Sequence, residues 1–167
     1  MKIETTILKN LLQNEDYARK VLPFLNDEYF TENSDKIIYN QINNFILKYN
    51  SLPNKEALNI ELSEAKITEE DFKESVNLIN EIGKDDQEFS DLSWLLDTTE
   101  KFCQDKAIYN AVVESISILD NPKSTTDKGA IPDILSDALS VSFDPHVGHD
   151  YIDDSAERFD YYHRVEE

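Results

Sequence analysis

What this chain has little of narrows its chemistry first. It holds one cysteine, Cys103, so no internal disulfide can form, and a lone thiol fits a reducing compartment. Its three glycines, Gly83, Gly129 and Gly148, are far apart. A phosphate-cradling loop needs closely spaced glycines so that backbone amides can reach the anion, which excludes nucleotide hydrolysis by these residues alone. Cations are scarce too: 16 Lys and Arg against 35 Asp and Glu leave a formal charge of -19. Tight nucleic-acid binding relies on clustered cations that release counterions, so a DNA-gripping surface is not expected. No apolar run approaches the ~18 residues of a membrane span, and no secretory h-region follows the start.

What is present is long, uninterrupted apolar periodicity. With five prolines, 40% hydrophobic residues and no strand-like alternation, the 167-residue chain reads as all-helical, with enough apolar material for one real core. Ile3, Ile7, Leu8, Leu11 and Leu12 mark a first helix. Tyr17, Ala18, Val21, Leu22 and Leu25 mark a second that ends or kinks at Pro23. Asn33 and Ser34 are cap candidates for a third helix carrying Ile38, Ile42, Phe45, Ile46 and Tyr49 on one face, with Asn50 and Pro53 ending it. Asn54 suits the cap of a short helix with Ala57, Leu58 and Leu62. Thr68 and Asp71 resemble a capping box before Phe72, Val76, Ile79 and Ile82, and Gly83 suits a left-handed stop.

The most informative stretch is Ser90 to Asp120. Leu92, Leu95, Thr99, Phe102, Tyr109, Val113 and Ile116, widened by Leu96, Cys103 and Val112, predict one apolar stripe, with Ser90 as the cap. Such a helix is about 45 Å long, longer than the ~40 Å diameter of a compact chain of this size, so it should project. After the polar loop Asn121 to Gly129, the residues Ile131, Ile134, Leu135, Ala138, Leu139 and Ser142 predict a shorter arm folding back on it. The expected division is a globular helical cluster over 1–89, a helical hairpin over 90–143, and a linker with the start of a further helix over 144–167. That last helix would still be running at Glu167, which reads as a piece of a longer protein.

Catalytic patterns are missing. His146, His149, Asp150, Asp153 and Asp154 superficially resemble metal ligands but sit beside Pro145 and Gly148, where nothing would fix coordination geometry. The adjacent acids Asp27 and Glu28, and Asp85 and Asp86, read as helix-start charge rather than an acid-base pair. Cys103 reads as a small core residue. The aromatics Tyr29, Phe30, Phe45, Tyr49 and Trp94 read as packing rather than base-stacking platforms. No catalytic, cofactor or metal residue is assigned.

Four stretches, LPFLNDEYF (Leu22 to Phe30), YNSLPNKEALNIEL (Tyr49 to Leu62), LSWLLDTTEKFCQDKAIYNA (Leu92 to Ala111) and GAIPDILSDALSVSFDPHVGHDYIDD (Gly129 to Asp154), together resemble the N-terminal domain of DnaB-family replicative hexameric helicases of T-even-like phages. The resemblance covers essentially the whole chain. It implies a globular helical domain whose paired hairpins build a collar, a trimer of dimers, above a ring of RecA-like motors, in the cytosol of a bacterial host. It also implies a linker helix docking on a neighbouring subunit, 5'-3' unwinding driven by ATP and Mg in motors outside this chain, and a meeting with primase at the collar. On this reading Tyr109, Val112, Val113, Ile116, Ile134, Leu135 and Leu139 mix hairpin packing with contact to a second copy, and Phe159 and Tyr162 anchor the linker helix in a neighbour. The competing reading is a free-standing acidic helical adaptor that recruits a primase or a helicase loader.

Overall fold

The computed structural model describes residues 2–84, 91–121, 123 and 127–143. Among these are seven α-helices and no strand: α1 (Ile3–Gln13), α2 (Glu15–Val21), α3 (Asn33–Tyr49), α4 (Lys55–Ser63), α5 (Glu69–Ile82), α6 (Leu92–Asp120) and α7 (Ile131–Leu139). Short 3-10 turns cover Leu22–Phe24, Asp27–Tyr29 and Lys128–Ala130. The chain is all-α, and no helix among the described residues is long and apolar enough to cross a membrane.

Side chains placed by sequence set most helix ends. Pro23 stops α2 because its ring removes a donor, and the chain tightens there into a 3-10 turn. Asn54 Oδ1 accepts from the Ala57 N–H at 2.7 Å and Thr68 Oγ1 from the Asp71 N–H at 3.1 Å, capping α4 and α5. Asn50, at φ 53°, closes α3 in the left-handed conformation, and Arg19 donates to its side-chain and main-chain oxygens, both at 3.1 Å.

Three expected ends differ. Glu32 holds the N-cap position of α3 without a side-chain bond, and Asn33 is already helical. Gly83 ends α5 at φ -85°, not left-handed; glycine suits it because an added Cβ would lie 2.8 Å from the Ile79 carbonyl oxygen. The cap of α6 is Asp91, whose Oδ2 accepts from the Trp94 N–H at 3.0 Å; Ser90 lies outside the described residues.

The core gathers one face of each of α1 to α5 together with the first half of α6. Leu8, Leu11, Tyr17, Ile38, Ile42, Leu58, Leu62 and Ile79 are completely buried, joined by Phe30, Leu95 and Cys103. Burying each large apolar side chain is worth roughly 1.5–3 kcal/mol before the entropy of ordering it. Two phenol hydroxyls are satisfied inside. The Tyr17 and Thr99 hydroxyls meet at 2.6 Å, tying α2 to α6, and the Tyr39 hydroxyl donates to the Leu25 carbonyl at 2.9 Å. Burial raises both phenol pKa values, that of Tyr39 to about 12.

Candidate assembly surface

The two halves of α6 meet different neighbours. Its first half packs on α2 and on the Asp27–Tyr29 turn, burying Leu95, Thr99, Phe102 and Cys103. Asn110 Nδ2 donates to the Glu28 carbonyl at 3.1 Å at the far end of that contact. In the second half the buried residues are Ala111, Ser115 and Ile118, following Ala107. Ala111 and Ile118 are buried without belonging to the main core, which places them in a separate seam where α7 and the Lys128–Ala130 turn pack.

That seam corrects the expected stripe. Steps of four residues advance about 40° beyond a full turn, so the line from Phe102 and Cys103 through Ala107, Ala111 and Ser115 winds round the helix. The inward face therefore rotates away from Tyr109, Val113 and Ile116, which the three-then-four spacing had joined to Leu95 and Phe102. Small side chains at 107, 111 and 115 let a second helix approach closely, and that four-residue rhythm was the available signal for the seam.

What the winding leaves uncovered is a continuous apolar strip on the second half of α6. Tyr109 is 65% exposed, Ile116 51% and Leu119 54%, with Val112 and Val113 nearly half exposed and Ile108 at the edge. Ile108 and Leu119 were not anticipated; they fall at i−4 and i+7 from Val112, where a strip along one helix face continues. No charged residue belongs to it. Glu114 and Asp120 are the only ionisable carboxylates on α6 beyond Lys106, and α7 adds Asp133 and Asp137. On α7, Ile134 and Leu135 are half-buried, while Leu139 stands 71% exposed. Of the seven residues assigned to a dual role, five are thus outward and two are in the hairpin contact. Phe159 and Tyr162 lie outside the described residues.

The other candidate chemistry resolves by position. Cys103 is wholly buried, and burial followed by the Glu100 charge pushes its thiol up to about 12, so it holds its proton. Tyr29 and Phe30 are core residues and Tyr49 packs its half-exposed ring on Phe45, centroids 4.7 Å apart, whereas Trp94 is half-exposed at the start of α6. Asp27 accepts from Asn40 Nδ2 at 3.1 Å, a structural contact at the start of a 3-10 turn. Among the described residues no group of three or more His, Cys, Asp and Glu could hold a metal. His146, His149, Asp85, Asp86, Asp150, Asp153 and Asp154 lie outside them.

The exposed strip holds no charged residue on a chain otherwise so acidic. No family model matches the chain. A DnaB-like replicative helicase of Enterobacteria phage T4 is 36% identical to it over 161 residues, an alignment taking in 92% of this chain and 33% of the helicase. The chain is homologous to part of a DnaB-like replicative helicase. This helicase-related chain spans about a third of its relative's length, and the resemblance seen in the four sequence stretches holds.

Proposed function

We propose that this helicase-related chain is the collar-forming, N-terminal part of a phage replicative DNA helicase acting in the cytosol of a bacterial host. Its divisions are the cluster 1–89, the hairpin 90–143 and the linker 144–167. The exposed strip of α6 buries against the same strip of a second copy, and such dimers build toward a hexamer. ATP, Mg and the 5'-3' unwinding of DNA belong to motors beyond the residues considered, DNA is not gripped by this acidic portion, and primase meets the assembled collar.

The observation that carries this reading is the strip from Ile108 to Leu119, with Tyr109 two-thirds exposed and no charged member. Contiguous exposed apolar surface of this kind marks interaction sites, and homodimer interfaces are the more apolar class. A two-fold pairing sets a strip against itself, so one surface suffices for a dimer. Because no ion pair is required and each copy carries a formal charge of -19, salt should not weaken the association and should favour it by screening repulsion between copies.

The test is light scattering over a concentration series at low and high salt. The native chain should gain mass with concentration, and Val113→Asp with Ile116→Asp should stay monomeric with unchanged helical circular dichroism. Equal mass in both chains would overturn the assignment.

A further inference from the structure

α7 is a weak element by itself. It has nine residues and no fully buried side chain, and isolated helices below about 12 residues are marginal in water. Its order must come from what holds its ends. At the tip the chain passes through the Lys128–Ala130 turn, where the Ala130 N–H bonds to the Asp127 carbonyl at 2.9 Å. At the base Val141, Ser142 and Phe143, which follow the Ser140 cap, are tied more firmly.

Gln104 Nε2 donates to the Val141 carbonyl at 3.1 Å. The Glu100 carboxylate accepts from the Phe143 N–H at 2.8 Å and, through the same oxygen, from the Ser142 hydroxyl at 3.3 Å. The Phe143 ring stacks on Phe24, centroids 4.7 Å apart and planes 28° from parallel. Val141 and Phe143 also pack on the main core, which α7 itself reaches through Ala138. Val141, Ser142 and Phe143 thus engage two side chains of α6 and one ring of the Leu22–Phe24 turn.

We propose that Val141–Phe143 is a latch that anchors the return arm, so that load on the chain following Phe143 is delivered to α6 and the Leu22–Phe24 turn instead of peeling α7 from the hairpin. Antiparallel packing puts the end of α7 at the base of α6. A pull there would open α7 one turn at a time, each step breaking few contacts. The latch changes that geometry because the Glu100 carboxylate, the Gln104 amide and the Phe24 ring must yield together first. A hydrogen bond to a charged acceptor is stronger than a neutral one, which suits Glu100 to this place. No latch residue belongs to the exposed strip, so the inference does not rest on self-association.

The test compares the native chain with Glu100→Ala, Phe24→Ala and Glu100→Gln. Amide exchange of Ile134 to Leu139 should accelerate about tenfold in each alanine variant and less in Glu100→Gln, whose side-chain oxygen still accepts. Exchange across α1 to α5 should stay the same. Held by its two ends in an optical trap, the Glu100→Ala, Phe24→Ala chain should release α7 as a separate event below the force at which the native chain first yields. Unchanged α7 exchange, acceleration shared equally by α1 to α5, or an unchanged first yielding force would each overturn the latch. Light scattering of the same variants should match the native chain, which separates this result from the assembly test.

Discussion

The second half of α6 is the more apolar in composition, yet it is the first half that is buried. From Leu92 to Ala107 the helix is a wall of the core, with Leu95 at 1% exposure and Thr99 bonded to Tyr17. From Ile108 to Asp120 it buries a narrow line of Ala111, Ser115 and Ile118 on the side where α7 packs and leaves Tyr109, its valines, Ile116 and Leu119 to solvent. The difference teaches that apolar content does not locate an interior; the number of neighbours does. α2 and the Asp27–Tyr29 turn close on the first half and join it to the core, but the second half has one short arm and the turn before it. An uncovered apolar face gains stability when another surface covers it, which is the physical basis of the assembly proposed above.

The comparison is sharpened most by truncating the same kind of side chain in each half. Leu95→Ala should lower unfolding stability by about 2–5 kcal/mol, since the cavity it leaves is enclosed on all sides. Val113→Ala should change stability of the monomer by no more than about 0.5 kcal/mol. Urea unfolding at low protein concentration measures both, and comparable losses would mean that the second half is also interior.

An intermediate effect is expected where α6 begins. Asp91→Ala removes the acceptor for the Trp94 N–H and should cost about 1 kcal/mol, read by thermal unfolding, with amide exchange quickening in the first turn while the Ala111 to Ile118 seam keeps its protection. A loss of protection along the whole helix would show that the two halves are not independent.

The smallest expected change lies away from α6, at Asp35, where α3 meets α1. Asp35 is 3% exposed and its Oδ2 has no hydrogen-bond partner. Burial raises its pKa, Lys2 opposes the shift, and Glu4, Glu32 and Glu81 add to it. With the folded value above the unfolded one, the native state binds the extra proton, so the contribution is fully present below about pH 4 and is lost as pH rises through the folded value. Asp35→Asn should therefore be more stable than the native chain at pH 7, with the gap closing as pH falls toward 4 in calorimetry. The effect is modest because Asp35 sits in the first turn of α3, where the helix dipole favours its charge.

Much of the fold was legible from particular residues. Leu92 to Asp120 is one unbroken helix, Pro23 ends α2, Asn50 ends α3, and Asn54 and Thr68 cap as expected, because each effect acts within one or two turns of the residue that causes it. The cap at Asp91 and the glycine at 83 were misjudged for reasons equally local: two adjacent cap-forming residues are hard to rank, and a glycine can be required by a close carbonyl rather than by its backbone angle. The site was legible as a list of surplus apolar residues but not as a surface. Tyr109, Val113 and Ile116 had been joined to Leu95 and Phe102, and Ala111 and Ser115 carried too little hydrophobicity to be noticed.

Sequence by itself therefore determined the all-helical architecture, the unbroken run of α6 and the pairing of a long helix with a short one, though the short arm, expected to continue through Ser142, ends at Leu139. Those follow from periodicity, caps and breakers, which are properties of neighbouring residues. Only the tertiary structure decided which face of α6 turns inward at each level, that Ala111 and Ser115 form the seam with α7, and that Glu100, Gln104 and Phe24 hold the end of the hairpin. Each of these depends on the direction from which another element arrives, and no spacing within one helix encodes that direction.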